Sequence, residues 1–264
     1  MLRSVFAKTL WDQRRGIIFW AIGIAAVGVL YAAFYPSINN PEMEAALEAY
    51  PQGLLDAIGF TDITTAEGYI GSTTYGLLGP VLVIIFAGAF GAGAIAGEEE
   101  SGRLDILLAH PVERWQVVLQ RAGALLVALL LAGAVLLLAM LAASGPAQFS
   151  SIGASNLAAA TVQLVLLGLV FGCLALAVGA ATGRRGLALG VLAVLGIATY
   201  LANTLGPSVE AITWTRDISP FHYFSGGAPL RNGWQPADAL ILLGVSIVLV
   251  ALAIAGFRRR DVAV

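Results

Sequence analysis

The stretch VVLQRAGALLVALLLAGAVLLLAMLAA, from Val117 to Ala143, carries the clearest structural signal in the chain. Its only charged residue is Arg121, which lies close to one end. A helix that crosses the hydrocarbon core of a bilayer needs about 20 apolar residues, and this stretch exceeds that length. The pattern therefore predicts a transmembrane helix.

The composition of the whole chain agrees with this prediction. Of its 264 residues, 59% are hydrophobic and only 11% are charged, whereas roughly a quarter of the residues in a soluble domain are charged. Five further apolar stretches are long enough to span a bilayer, near 16–36, 75–96, 157–182, 186–206 and 238–257. Together with 117–143 they predict an all-α polytopic membrane protein. It would be a single transmembrane domain over residues 1–264, with six transmembrane helices and no separate soluble domain.

The basic residues lie almost entirely on one side of these predicted spans. If the N-terminus is cytoplasmic, every one of the 14 lysines and arginines except Arg216 and Arg231 falls on the cytoplasmic side, and the outer loop 37–74 contains none. Cytoplasmic loops of membrane proteins carry an excess of Lys and Arg. We therefore predict a multi-pass protein of the plasma membrane whose N- and C-termini are both cytoplasmic.

Two segments outside the spans have an amphipathic pattern. A helix over residues 1–16 would keep its basic residues away from an apolar face formed by Leu2, Val5, Phe6 and Leu10. This pattern predicts an N-terminal amphipathic helix in the cytoplasmic interface, with a frayed soluble tail as the alternative. The outer segment NPEMEAALEAYPQGLLDAIGF, residues 40–60, predicts two short helices separated at Pro51 that rest on the outer membrane face.

Small residues recur at helical spacing within or beside the spans. Such pairs let helices approach closely in lipid, and we expect most of them to pack within the chain. The pairs are Gly168/Gly172, Gly179/Gly183, Gly186/Gly190 and Gly93/Gly97. Pro80 is expected to kink the second span.

Several function classes lack the residues they need. No Asp, Glu, Lys, Arg or His lies near the middle of a predicted span, whereas ion-coupled transporters and proton pumps usually need ionisable groups there. The chain has neither a GxxxxGK(S/T) phosphate loop nor an HExxH zinc motif, and only Cys173, His110 and His222 as soft metal ligands. We expect no catalytic, cofactor-binding or metal site in this chain, and no nucleic-acid partner.

The most charged segment is AGEEESGRLDILLAHPVERW, from Ala96 to Trp115, which connects the predicted second and third spans. Leu104, Leu107 and Leu108 would form an apolar helical face beside Arg103 and Asp105. Pro111 would end that helix before the next begins at Val112. The pattern predicts a cytoplasmic amphipathic hairpin that serves as a docking surface. The alternative is a solvated charged loop, which would leave three leucines exposed to water.

At this segment the chain resembles the membrane subunits of ABC-2-type transporters. Their hallmark is an acidic cluster followed by Gly, Leu, an acidic residue, Leu-Leu and Pro-x-x-Arg. The matching residues are Glu98, Glu100, Gly102, Leu104, Asp105, Leu107, Leu108, Pro111 and Arg114. The resemblance extends to EAYPQGLLDAIGF, AEGYIG and SPFHYFSGGAPLRNG elsewhere in the chain. Arg103 stands where the family more often has Thr.

The resemblance implies a permease subunit that has no ATP site of its own. In that family the loop between spans two and three carries a coupling helix, which fits a cleft in a cytoplasmic ABC ATPase that binds the ATP. Two permeases, identical or homologous, assemble with two ATPase subunits, and the second and fifth spans are expected to line the pathway. The substrate would be an exported or flipped amphiphilic or hydrophobic molecule, such as a drug, a peptide or a lipid.

Two further expectations concern individual side chains and the class of function. Arg114 is expected to pair with an acidic group of the partner or with the glutamates, and Glu98 to Glu100 are expected to hold the hairpin against nearby basic residues. The alternative from another class is a non-transport membrane scaffold or assembly factor with the same fold.

Overall fold

The computed structural model describes residues 4–40, 42, 63–104, 113–206 and 210–260. Within these ranges every regular element is helical, and six helices are long and apolar enough to cross a membrane. In chain order these spans are Val5–Ile38, Ala66–Glu100, Arg114–Ser144, Ala154–Thr182, Arg185–Thr204 and Pro236–Arg259. The predicted all-α architecture with six spans is confirmed. The outer helices predicted on either side of Pro51 lie outside the described residues.

The first span begins much earlier than predicted. A single helix, Val5–Ala33, contains both the predicted N-terminal amphipathic segment and most of the first predicted span, and Tyr35–Ile38 follows it. No proline interrupts this stretch, so the helix continues without a break. Ser4 caps its start by accepting a hydrogen bond from the Ala7 N–H at 3.2 Å. The N-terminal segment is therefore a direct extension of the first span and not a separate helix.

The second span is α-helical except for two π-helical segments. The first is Gly71–Leu78 and the second is Gly93–Gly97, with the α-helix Gly79–Ala92 between them. At the first boundary the Gly79 N–H donates to the carbonyl of Thr74, five residues earlier. Pro80 follows immediately, and a proline ring crowds the carbonyl of the preceding turn. The structure thus has a wide π turn just before Pro80, and the kink expected at Pro80 stays a prediction.

The fourth span is the centre of the bundle. It packs against the second, third, fifth and sixth spans, and 78% of its most apolar stretch is buried. Its closest neighbour is the second span, because a Cβ atom added to Gly91 would overlap the carbonyl oxygen of Gly172, and one added to Gly168 would overlap Val83. The pair Gly168/Gly172 therefore packs within the chain as expected. By contrast, Cβ atoms added to Gly93, Gly186 and Gly190 would meet no other atom within 4 Å.

The fifth span lies at the edge of the bundle, with only 11% of its most apolar stretch buried. Four of its five exposed large apolar side chains recur at intervals of three to seven residues and so form one stripe along the helix, while the fifth, Leu195, is exposed beside the stripe. This stripe consists of Leu187, Val194, Ile197 and Leu201. An apolar stripe of this kind faces either lipid or another protein within a membrane.

Both chain termini lie at the same end of the bundle. Near the N-terminus the Phe6 N–H donates to Gln120 at the start of the third span, at 3.0 Å. Near the C-terminus the Phe257 carbonyl accepts from Arg114 at 3.1 Å. Because most arginines of the described chain also lie here, we call this the basic end of the bundle.

The connection between the fifth and sixth spans folds back into the bundle. It contains a 3₁₀ turn, Glu210–Thr215, and the short helices Pro220–Ser225 and Pro229–Asn232. The Phe221 ring packs 5.7 Å from that of Phe171, which lies about 16 Å along the fourth span from its basic end. The segment SPFHYFSGGAPLRNG therefore re-enters between the spans, a feature that its sequence had not predicted.

Candidate functional site at the basic end

The second span ends in three consecutive glutamates, and each contacts a different helix end. Glu98 forms an ion pair with Arg121 in the third span, and Glu99 forms one with Arg260 directly after the sixth. Glu100 Oε1 accepts a hydrogen bond from the backbone N–H of Arg185, the first residue of the fifth span, at 2.8 Å. We call these three residues the glutamate clamp. Glu98 and Glu99 thus contact basic side chains, whereas Glu100 contacts a backbone N–H.

The Glu98–Arg121 pair is the most buried contact of the clamp. The Arg121 side chain is only 3% exposed and that of Glu98 is 15% exposed. Two opposite charges removed from water stabilise each other, and the loss of one leaves the other buried and uncompensated. This pair therefore ties the end of the second span firmly to the third.

The Glu100 contact is a helix cap. The first N–H groups of a helix have no partner within the helix, and they carry the positive end of its dipole. A carboxylate that accepts from the first residue of the fifth span satisfies one such group and also complements the dipole. Glu100 thus fixes the start of the fifth span to the end of the second.

The Glu99 contact also reaches the end of the fourth span. That span ends at Gly183, which has a left-handed φ of 69° and donates its N–H to the Gly179 carbonyl at 2.8 Å. The Arg260 guanidinium lies directly over Gly183, so that a Cβ atom there would overlap it. A single arginine therefore bridges Glu99 and the end of the fourth span.

Arg114 binds a different kind of group from the one expected. Its Nη1 donates to the backbone carbonyls of Phe257 and Arg260, and its guanidinium lies 5.6 Å from the centre of the Phe257 ring. Carbonyl groups at the end of a helix lack intrahelical partners and carry partial negative charge. Arg114 therefore ties the start of the third span to the end of the sixth, and in this arrangement it pairs with no carboxylate of the described chain.

Leu104 faces the permease itself and not solvent. Its side chain is fully buried in a cluster that includes Ile95, Val118, Leu176 and Phe257. The turn that returns it to the bundle is made by Gly102, which has a left-handed φ of 68° and donates its N–H to the Glu99 carbonyl at 2.9 Å. Leu104 was expected on an exposed apolar face together with Leu107 and Leu108, whereas the structure buries it within the bundle just after the turn at Gly102.

The described part of the predicted segment is therefore brought together at one end of the bundle. These residues are Glu98, Glu100, Gly102, Leu104 and Arg114. Asp105, Leu107, Leu108 and Pro111 lie outside the described residues. The described residues that flank 105–112 are both anchored: Leu104 is buried in the core, and Arg114 is bound to the end of the sixth span.

Sequence reasoning did not identify the partners that complete the clamp. Arg121, Arg185 and Arg260 lie on three other segments of the chain, and only their positions at predicted helix ends on one membrane side offered a signal.

As for metals, the described residues contain no group of three His, Cys, Asp or Glu side chains able to hold an ion. Cys173, also among them, is buried in the fourth span.

Comparison with known protein families identifies the chain. The family described as "ABC-2 family transporter protein" matches residues 3–262, which is nearly the whole length. A search of the curated proteins finds no match. The family assignment agrees with the six apolar spans of the described structure. The chain is therefore a multi-pass membrane protein that belongs to the ABC-2 family of transporter proteins.

Proposed function

We propose that this chain is the permease subunit of an ATP-driven ABC-2 exporter, and that a separate cytoplasmic ATPase docks on the segment 105–112. The permease itself is non-catalytic, and the ATPase binds the ATP. The permease lies in the plasma membrane. Both of its termini, and therefore the basic end of the bundle, face the cytoplasm. The observation that carries the proposal is the glutamate clamp, which links the base of this segment to the ends of four other spans.

A docking segment transmits force only if its base is rigidly attached to the elements that must move. Leu104 anchors one end in the apolar core, and Arg114 anchors the other to the sixth span. Through the clamp, a displacement of the base is passed to the third, fifth and sixth spans together. The ATPase can therefore drive a concerted motion of helix ends by moving one short segment.

We assign docking to Leu107 and Leu108, because the Leu104 side chain is already buried within the permease. A leucine that becomes buried in a cleft of a partner contributes on the order of 1–3 kcal/mol to binding. Charged side chains at the rim of such a contact contribute about 1 kcal/mol or less. Most of the docking energy is therefore assigned to these two leucines.

The working transporter contains two permeases, identical or homologous, and two ATPase subunits. The pathway lies between the permeases and is lined by the second and fifth spans. The uncovered apolar stripe on the fifth span, represented by Val194 and Leu201, supports this arrangement. Because the walls would be apolar, the substrate is an amphiphilic or hydrophobic molecule of the drug, peptide or lipid type.

The test is the double variant Leu107→Asp/Leu108→Asp, expressed together with the cognate ATPase. Two carboxylates cannot be buried in an apolar cleft without a large desolvation cost, so we expect the ATPase to be lost on purification of the permease. Substrate-stimulated ATP hydrolysis should fall to the level of the isolated ATPase. Arg184→Asp is the matched control, since it adds acidic charge at the same end on an exposed residue, and it should keep the ATPase bound.

Normal association and normal coupling in a correctly inserted double variant would refute the docking role.

Reconstitution of the complex separates the transporter from the scaffold alternative. A transporter moves an amphiphile across the bilayer only when ATP is hydrolysed, whereas a scaffold binds its partners without such movement.

A further inference from the structure

A cavity of about 210 Å³ opens at the basic end of the bundle. It lies between the first span, the second π-helical segment and the start of the fifth span. Its walls divide by chemistry into two parts. One part carries Gln13, Arg103 and Arg185, and the other carries Trp20, Phe86 and Phe90.

The two arginines of the cavity have no acidic partner within the described chain. Arg121 and Arg260 are paired with glutamates, but no described carboxylate forms an ion pair with Arg103 or Arg185. Asp105, the acidic residue nearest to Arg103 in sequence, lies outside the described residues. Glu100 uses Oε1 to bind the backbone N–H of Arg185. Both guanidinium groups belong to exposed residues. Counting only described residues, the cavity therefore presents two arginines without an ion-pair partner, together with the amide of Gln13.

The other part of the cavity is aromatic and has room beside it. The Trp20 and Phe86 rings stack with centroids 5.9 Å apart, and Phe90 lies edge-on to Phe86 at 6.4 Å. The second π-helical segment begins at Gly93, where an added Cβ atom would meet nothing within 4 Å. From Gly97 to Phe86 the wall extends about 16 Å along the second span. Phe86 and Phe90 are almost fully buried, so an apolar chain below a polar head would contact the half-buried Trp20 and the open backbone at Gly93.

We propose that this cavity binds the anionic headgroup of an amphiphile, with a phosphate or carboxylate held by Arg103 and Arg185 and the start of the chain lying against Trp20 and Gly93. Arginine is suited to this because its planar guanidinium donates two parallel hydrogen bonds to such groups. Basic pockets between helices at the cytoplasmic side are suited to anionic lipid heads. The volume holds a headgroup and not a whole lipid, since pockets for complete ligands span roughly 300–1,000 Å³.

The amphiphile has two possible sources. It is either an anionic lipid that resides at this site or the transported molecule on its way into the pathway. Binding depends only on the cavity, whereas a role in loading cargo rests on the proposed export function. The experiment therefore measures binding to the permease without its ATPase before it measures transport.

In the binding arm, native mass spectrometry of the purified full-length permease in detergent compares phosphatidylglycerol with phosphatidylcholine of identical chains. The wild type should bind phosphatidylglycerol about tenfold more tightly, as two charge-assisted contacts imply. Arg103→Gln/Arg185→Gln should abolish this preference, whereas Arg184→Gln, which removes an arginine beside the cavity, should keep it. High salt should weaken the preference as well.

A second pair of variants tests the cavity by shape and not by charge. Gly93→Leu fills open space within the cavity, and we expect it to weaken phosphatidylglycerol binding several-fold. Gly190→Leu also adds a side chain where an added Cβ atom would meet nothing within 4 Å. Residue 190 lies outside the cavity, so this variant should bind phosphatidylglycerol as the wild type does. Equal affinity of the wild type for both lipids, or an undiminished preference in the double arginine variant, would overturn the proposal.

The transport arm identifies the source. The complex with its ATPase is reconstituted in phosphatidylcholine vesicles that contain a trace of fluorescent phosphatidylglycerol. ATP-dependent transfer of the probe between leaflets that is lost in the double arginine variant would identify the amphiphile as cargo. Binding without transfer would identify it as a resident lipid. A complex that hydrolyses no ATP would count against the export function and leave the binding result standing.

Discussion

At the scale of single residues, the Glu98–Arg121 pair shows why a charge is found inside the third span. Arg121 lies two turns inside the helix that begins at Arg114, where a lone arginine would be costly in lipid. Its side chain turns toward Glu98 and is almost completely covered. The charge is tolerated because the second span supplies its partner at the same depth.

The buried pair makes a prediction about stability. Arg121→Ala should lower the free energy of unfolding by about 3 kcal/mol, because Glu98 would remain buried without a counter-charge. Thermal unfolding of the detergent-solubilised permease measures the effect. The matched control is Lys8→Ala, which removes an ion pair to Asp12 whose side chains are 45% and 55% exposed. That change should cost less than about 0.5 kcal/mol.

The charge-swapped variant Glu98→Arg/Arg121→Glu adds a second readout to this prediction. It should recover a measurable part of the stability lost in Arg121→Ala, because opposite charges are again paired. If Arg121→Ala unfolds at the wild-type temperature, the pair does not hold the second and third spans together.

At the scale of elements, the second span combines a rigid contact with two irregular segments. Its α-helical part, Gly79–Ala92, packs against the fourth span, and at Gly91 the helix meets the backbone of Gly172. The π-helical segments lie on either side of this contact. Each π turn rotates the following residues relative to a regular helix. The second span therefore directs Gly91 toward the fourth span and directs the glutamate clamp toward other neighbours.

Gly91→Ala tests this contact. The added methyl group would overlap the Gly172 carbonyl, which is backbone and cannot rotate away, so the second and fourth spans must separate. Overpacking of this kind costs typically 1–3 kcal/mol. Gly23→Ala is the control, since an added Cβ atom there meets nothing within 4 Å, and it should be neutral or slightly stabilising. Equal thermal stability of the two variants would contradict the close approach.

At the scale of the whole molecule, the bundle is tightly joined at its centre and open at one edge. The fourth span contacts four others, and the clamp joins helix ends at the basic end. The fifth span is the least covered of the six, with 11% of its most apolar stretch buried against 22% for the sixth. Since the proposed pathway lies between two permeases, this uncovered edge is where the second copy should sit.

Crosslinking tests the position of the second copy. Single cysteines at Leu187, Val194 and Leu201 in a Cys173→Ala background should give crosslinked dimers in native membranes with a short bifunctional reagent. The stripe residues face outward along one side of the fifth span, so that two copies bring them close together. A cysteine at Ile247, which is 61% exposed on the sixth span, should give none. If no stripe position forms a dimer, the proposed arrangement is wrong.

The class of fold and the number of spans were predictable from the linear chain, because bilayer thickness imposes a length and a composition on each span separately. The spacing of small residues likewise predicted the close packing at Gly168 and Gly172. The partners of Glu98, Glu99 and Glu100, the burial of Leu104 and the re-entry of Pro220–Ser225 were not predictable. Each of these depends on which helix ends lie side by side, and hydrophobic patterning carries no information about neighbours that are distant in the chain.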